Sequence, residues 1–358
     1  MLGLTSNVLL FLAIAAAVVA PCCLVWLAGR RVPGIRRVRV GPAIAVLALA
    51  LVAQLGAVSA VFLVVNRKFD FYSGWGDLLG QQTNPATGIA GDGSLGIGHG
   101  RLEVLPVTGK GSHTRSEVLV WLPPQYGEPA YRHHRFPVVE FLPGQPEQPA
   151  GVFRGFALGA TAEAEIAARH VPPFVLVVPP LMIRPPFDTE CTNVPHGPQA
   201  LTWLASDVPH AVTTHLRVDP PGIHWSLMGW STGAFCAAKL VYAQPKRFAA
   251  AVGLGGYYQP TTRQTWPNLF GGLPWVKRHN SPQWLYAHRS SGLTARLLVV
   301  TSRQDLESLR SSAKMIAATR FNPNDSRVVL PSGGHNFGVY QPFVGKGLQW
   351  LARGGVLR

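Results

Sequence analysis

One turn, Gly229-Trp230-Ser231-Thr232-Gly233, constrains the fold of this chain more than any other feature. It follows the apolar run His224-Trp225-Ser226-Leu227-Met228 and opens a stretch, Thr232 to Ala243, that reads as helix. G-x-S-x-G between a strand and a helix is a tight, strained turn that lifts a serine hydroxyl clear of a sheet. Its glycines serve where neighbouring backbone must come close. Glycine is common here, 38 of 358 residues, so the bare pattern is weak and the strand–turn–helix setting gives it weight.

The surrounding pattern agrees. Short apolar runs near 118–122, 137–142, 174–178, 224–228, 249–254, 296–301 and 327–330 read as strands. Helical stretches alternate with them: Thr161 to Arg169, Gln199 to Leu216, Thr232 to Ala243, Leu306 to Arg320 and Val339 to Ala352. Such alternation predicts an α/β fold, a doubly wound and mostly parallel sheet, over residues 101–358.

Two further strand ends carry chemistry. The run Arg296 to Ser302 ends in Arg303-Gln304-Asp305-Leu306-Glu307, and Arg327 to Leu330 ends in Pro331-Ser332-Gly333-Gly334-His335-Asn336. A serine hydroxyl is a poor nucleophile until a neutral imidazole takes its proton, and a carboxylate fixes the imidazole's tautomer. The order Ser231, Asp305, His335 is the chain order of such a triad on an α/β-hydrolase sheet. Glu307 is the alternative acid, though its place also suits a first-turn carboxylate facing a helix dipole. Oxyanion donors are expected from the Thr232 N–H and from the loop Pro143-Gly144-Gln145-Pro146. Neither proline has an N–H, which leaves Gly144 and Gln145, with Gln145 favoured.

From about Leu102 to the C-terminus these residues resemble the α/β-hydrolase branch of esterase D, S-formylglutathione hydrolase, ferulic-acid-type esterases and antigen 85 mycolyltransferases. The matching pieces are Phe141-Leu142-Pro143-Gly144, Gly229-Trp230-Ser231-Thr232-Gly233, Val252-Gly253-Leu254-Gly255-Gly256-Tyr257-Tyr258 and Gly333-Gly334-His335-Asn336-Phe337. The resemblance implies oxyanion donors at Thr232 and Gln145. It favours an esterase over a mycolyltransferase: Pro143 stands where the antigen 85 enzymes have Asp, and their acid is a Glu in a longer segment.

The segment Asp188-Thr189-Glu190-Cys191-Thr192-Asn193 follows the strand 174–178, at the sheet edge where α/β proteins bind ligands. Arg184, Asp188, Glu190, Trp230 and Tyr257 are candidates to line the substrate site; a solvated loop is the competing reading for the polar ones. The aromatic stretch from Tyr257-Tyr258 through Trp266, Trp275 and Trp284 occupies a lid position suited to a lipidic acyl group, and core packing explains single aromatics equally.

The N-terminal third differs. Asn7 to Leu27 and Pro42 to Val65 carry no charge, and each is near or above the ~20 residues a helix needs to cross a bilayer. Five arginines lie between them, Arg30, Arg31, Arg36, Arg37 and Arg39, and short arginine-rich loops stay cytoplasmic. This predicts a multi-pass hairpin over 1–66 in a cell membrane, a Gly-rich linker over 67–100 and an extracytoplasmic catalytic domain. A cleaved signal peptide ending at Val58-Ser59-Ala60 is the competing reading.

Only 14% of residues are charged against a usual ~25%, yet the net charge is +15. No nucleic-acid-binding motif or basic helix accompanies that charge, so it reads as solvated surface and nucleic acid is not an expected partner. Cys22 and Cys23 fall within the first apolar stretch. Cys191 and Cys236 form either a disulfide or, for Cys236, a buried free thiol. No Cys/His cluster has metal-ligand spacing, so neither metal nor cofactor is expected, and nothing fixes the oligomeric state. The sequence therefore predicts a membrane-anchored serine esterase. Acyl transfer to a sugar hydroxyl and a non-catalytic envelope scaffold are the alternatives.

Overall fold

The computed structural model describes residues 4, 6–29, 40–69, 75, 98–185, 187–261, 266–288, 295–319 and 325–358. The arginine loop 30–39 and nearly all of the linker lie outside these residues. The chain divides into two units, Met1–Thr83 with Ser332–Asn336, and Asn84–Pro331 with Phe337–Arg358.

In the second unit the apolar runs become strands, and those in the middle of the sheet alternate between two buried faces. The strands are β1 (Arg101–Gly109), β2 (Thr114–Leu122), β3 (Val138–Leu142), β4 (Val175–Val178), β5 (Gly222–Trp230), β6 (Phe248–Leu254), β7 (Arg296–Ser302) and β8 (Ser326–Leu330). They form one sheet in the order β1-β2-β4-β3-β5-β6-β7-β8. β1 pairs antiparallel with β2 and β2 with β4, and the other pairs are parallel. The nucleophile candidate thus leaves β5, between β3 and β6 at the sheet's centre.

Val138, Leu142, Leu227 and Val299 point to one face with Trp203, Phe235, Cys236 and Leu240. Val139, Phe141, Met228 and Val300 point to the other, with Phe153, Phe156, Val344 and Leu348. The first face is covered chiefly by α5 (Val208–His215), α6 (Thr232–Ala243), α8 (Pro282–Ala287) and α9 (Leu306–Ala318). The second is covered by α3 (Pro149–Gly155), α4 (Leu158–Ala167) and α11 (Pro342–Arg353). Two shorter helices, α7 (Pro274–His279) and α10 (Phe337–Tyr340), complete this unit's labelled set. The doubly wound α/β architecture is the one the sequence predicts.

Several details depart from the sequence reading. β1, an edge strand with Val104, Pro106 and Thr108 exposed on one side, is an eighth strand beyond the seven the sequence predicts. The single helix expected over Gln199 to Leu216 is interrupted by a π turn, Trp203–Asp207, before α5 begins at Val208. The helix expected over Val339 to Ala352 is two, because Pro342, lacking an N–H, begins α11 rather than continuing α10. The short helices α3, α7 and α8 were likewise not foreseen. Each begins at a proline, which suits a first helical position.

The first unit holds α1 (Asn7–Gly29) and α2 (Val40–Phe69). Both are long and apolar enough to cross a membrane, over Asn7–Trp26 and Ile44–Asn66. Their apolar side chains point outward: Phe11 is 70% exposed and Leu55 67%. They meet at small residues. A Cβ on Gly56 would sit 2.7 Å from the Ala17 nitrogen and 2.8 Å from the Ala13 carbonyl, the close approach that joins helices in lipid.

Glu140 is anomalous. It shares the face of Val138 and Leu142 and lies opposite Val177 and Leu227, fully buried. Neither carboxyl oxygen has a hydrogen-bond partner among the described residues. Burial pushes its pKa well above the ordinary carboxylate range. The folded chain therefore holds a proton that the unfolded chain releases near ~4.3, so the group's cost to stability grows as pH rises past that value. Glu140→Met is expected to stabilise the protein by about 1–3 kcal/mol at pH 7 and by less at pH 4, read from denaturation midpoints. An equal gain at both pH values would contradict this account.

Candidate active site

The turn after β5 has the strained backbone its sequence requires. Ser231 has φ 56° and ψ −117°, a conformation uncommon for any residue but glycine. Its N–H donates to the Leu254 carbonyl at 3.0 Å, and its own carbonyl accepts from Ala234 N at 3.0 Å and Phe235 N at 3.2 Å. The strain is thus locked between β6 and the first turn of α6. A side chain on Gly229 would collide with the Gly233 carbonyl, and one on Gly233 with the Leu142 carbonyl. A Cβ on Gly144 would stand 3.1 Å from the Ser231 Cβ. The loop after β3 is therefore packed against the serine, with Gln145 half-buried in it and a cis Gln145–Pro146 bond following.

Asp305 caps α9. One carboxyl oxygen accepts from Ser308 N at 3.2 Å and the other from the Tyr340 hydroxyl at 2.7 Å, and only 2% of the residue is exposed. Glu307 lies in the first turn of α9 and faces solvent. Tyr340 links Asp305 to the turn that carries Ser231: its ring packs on Trp230 at 5.1 Å. Phe156 and Phe337 also pack on Trp230, at 5.6 and 5.7 Å. Trp230, 3% exposed, is therefore a core anchor for the turn rather than a surface that lines a substrate.

In the first unit, His335 is half-buried in the segment Ser332–Asn336. Gly333 there takes φ 107°, and Asn336 N donates to the Gly334 carbonyl at 3.1 Å.

The segment 188–192 is not a solvated loop. Asp188 and Glu190 are 2% and 0% exposed and are engaged internally, whereas Arg184 faces solvent. The Glu190 Oε1 accepts from Thr261 N at 2.8 Å and from the Thr261 hydroxyl at 3.0 Å. Tyr257, half-buried and stacked on Phe235 at 5.0 Å, reaches Glu190 Oε1 at 3.3 Å and the Thr232 hydroxyl at 3.4 Å. Cys191 and Cys236 are bridged, with Cα atoms 5.8 Å apart. Their separation of 45 residues implies about 4 kcal/mol from loop closure alone. Cys191→Ala with Cys236→Ala is expected to lower stability by about 2–4 kcal/mol, measured as the midpoint of thermal or urea unfolding. An unchanged midpoint would contradict it.

The sequence reading missed two residues. Tyr340 holds the Asp305 carboxyl, and nothing local in sequence marks that contact. Lys239, fully buried, donates from Nζ to the carbonyls of Glu190 at 2.9 Å and Cys191 at 2.7 Å. A lysine in the otherwise apolar Ala237-Ala238-Lys239-Leu240-Val241 was the available signal.

The segment after Tyr258 forms a cleft of about 600 Å³, lined by Trp266, Leu269, Phe270, Leu273, Pro274 and Lys277 among others. It abuts the segment 188–192: Trp266 N donates to the Asp188 carbonyl at 2.8 Å, and its ring meets Phe187 at 5.8 Å.

Comparison with known proteins gives the class. The family described as "Putative esterase" matches residues 111–338, well over half of the chain, and the chain belongs to that family. Among curated proteins, an uncharacterized protein of Corynebacterium glutamicum is 26% identical over 292 residues, covering 72% of this chain. The match spans 63% of that relative's own length. Among solved structures, a ferulic acid esterase aligns over 71% of this chain and 97% of its own, with TM-score 0.61 and 14% identity. The S-formylglutathione hydrolase of Agrobacterium tumefaciens covers 74% and 98%, with TM-score 0.59 and 16% identity. A fluorophosphonate-binding serine hydrolase of Staphylococcus aureus covers 71% and 98%, also at 0.59 and 16%. At these identities the structural likeness establishes the α/β-hydrolase fold.

Proposed function

We propose that this chain is a serine esterase held at a membrane by α1 and α2, cleaving carboxylic esters through an acyl-enzyme on Ser231. The observation that carries the reading is the locked, positive-φ backbone of Ser231 between β5 and α6, with the Gly144 loop packed against it. In this reading His335 takes the Ser231 proton as the hydroxyl attacks the ester carbonyl, then returns it to the leaving alcohol. Asp305 orients the imidazole and balances its charge. The backbone N–H groups of Thr232 and Gln145 receive the oxyanion. Water then attacks the acyl-enzyme, with His335 again as base, and frees the acid.

The assignment of His335 is supported by the chain on either side of it. β8 ends at Leu330, and two residues beyond His335 the Phe337 ring packs on Trp230, which precedes Ser231. Asp305 is preferred to Glu307 because its carboxyl is buried and fixed by Tyr340, while Glu307 faces solvent. The apolar cleft at Trp266–Lys277 favours a lipidic acyl group, which a membrane-tethered enzyme would meet at its surface. The five arginines of 30–39 orient the hairpin with that loop in the cytoplasm, which puts the catalytic domain outside.

Short- and long-chain p-nitrophenyl esters, given to the full chain with and without trehalose, test this reading. Hydrolysis that exceeds a buffer blank and is undiminished by trehalose is expected. No release above the blank would overturn the esterase, and acyl-trehalose as the main product would make it a transferase.

A further inference from the structure

The segment 188–192 is fastened to the nucleophile helix at three points spaced i, i+4 and i+7, so all three lie on one face of α6. At the first, the Tyr257 hydroxyl joins the Thr232 hydroxyl, at 3.4 Å, to the Glu190 carboxylate, at 3.3 Å. At the second, Cys236 is disulfide-bonded to Cys191. At the third, the Lys239 ammonium takes the carbonyls of Glu190 and Cys191 and the Thr192 hydroxyl, the last at 3.3 Å. The fastened segment is itself strained, with φ 43° at Glu190 and 49° at Cys191. Holding two consecutive non-glycine residues there costs of order 1–3 kcal/mol each unless the surroundings enforce it.

Three ionisable groups are sunk in this junction, which a merely structural clamp does not need. Burial pushes the Asp188 carboxyl up to about 7, and the neighbouring Glu190 charge adds to that rise. Burial draws Lys239 down to about 7 against the pull of both carboxylates. Glu190 also ties the junction to the strand-end segment Gly255-Gly256-Tyr257, because the Tyr257 hydroxyl spans Glu190 and Thr232. Asp188 and Tyr257 both hold Glu190, one through its N–H at 2.7 Å and the other through its carboxylate, and Tyr257 carries that hold to the residue after Ser231.

We propose that Asp188, Glu190, Lys239 and Tyr257 are positioning residues for the oxyanion hole: they fix the Thr232 backbone N–H by gripping its side chain and the helix behind it. The inference rests on Ser231 being the nucleophile and Thr232 an oxyanion donor. None of the four touches substrate in this scheme. The transition state depends on a donor held to within a few tenths of an ångström, so loosening Thr232 slows acylation while leaving ground-state binding alone.

Tyr257→Phe keeps the stack on Phe235 and removes only the hydroxyl, and Glu190→Gln keeps the shape. Each is expected to lower kcat for a p-nitrophenyl ester ~10-fold or more, with KM within twofold. The rate of fluorophosphonate labelling should fall by a similar factor. Because Glu190→Gln risks misfolding, Tyr257→Phe with an unchanged melting temperature is the deciding variant. Thr232→Val, which removes the gripped hydroxyl but keeps the backbone N–H, should match Tyr257→Phe, and the double variant should be no slower than either alone. Wild-type kcat and labelling rate in folded Tyr257→Phe, or additive losses in the double variant, would overturn the proposal. If the wild-type protein itself is not labelled, what has failed is the assignment of Ser231.

Discussion

Ser231→Ala is expected to lower kcat/KM for a p-nitrophenyl ester by at least ~10³-fold while leaving the fold intact. The loss is large because the hydroxyl supplies the covalent route, and what remains comes only from the oxyanion donors and from binding. Stability should barely change. The strain at φ 56° is borne by the backbone, and alanine bears it as serine does. His335→Ala is expected to be as severe, and the double variant no worse than either, because nucleophile and base act as one unit. Kinetics on the three variants, with melting temperatures alongside, check this. Additive losses would mean that His335 does not serve Ser231, and another base would have to be sought.

Gly233→Ala is the largest expected effect on folding. A single methyl group there would run into the Leu142 carbonyl and lie 2.5 Å from the Pro143 carbonyl. Both obstacles are backbone, at the end of a central strand, so neither can swing aside as a side chain would. The expected cost is about 3 kcal/mol or more, which for a domain of this size lowers Tm by roughly 6–12 °C. Activity should fall further than stability, because the displaced segment leads directly into the Gly144-Gln145 loop. Gly151→Ala, where a Cβ meets nothing within 4 Å, is the control and should be silent in both assays. A Gly233→Ala protein with wild-type Tm would show that β3 and α6 are not in the contact described.

What could be read from residues alone follows from how local the governing physics is. The strained turn at Ser231 was legible because strand, glycines, serine and helix are contiguous, and α6 runs over the residues its pattern marks, Thr232 to Ala243. The central parallel strands were legible because they are buried on both faces and read as unbroken apolar runs. β1 was not, since Arg101, Glu103 and Pro106 interrupt its apolar run, as an edge strand allows. The bridge between Cys191 and Cys236 was one of two open readings, and the structure forms it. The role of the segment 188–192 was illegible for a physical reason. Glu190 looks like surface until Tyr257 and Thr261, 67 and 71 positions away, bond its carboxylate and Lys239, 49 away, bonds its carbonyl. Trp230 looked like a substrate wall because it flanks the serine, but alternation along β5 sends its ring into the core. Tyr340 was hidden because its bond to Asp305 joins residues 35 positions apart.

The reactivity of the Ser231 hydroxyl is tested most directly by mass analysis of the full chain after exposure to a fluorophosphonate. A single phosphonyl adduct, located on the peptide that contains Ser231 and lost in both Ser231→Ala and His335→Ala, is the predicted result. A folded wild-type protein that stays unmodified, or that carries its adduct on another residue, would contradict it.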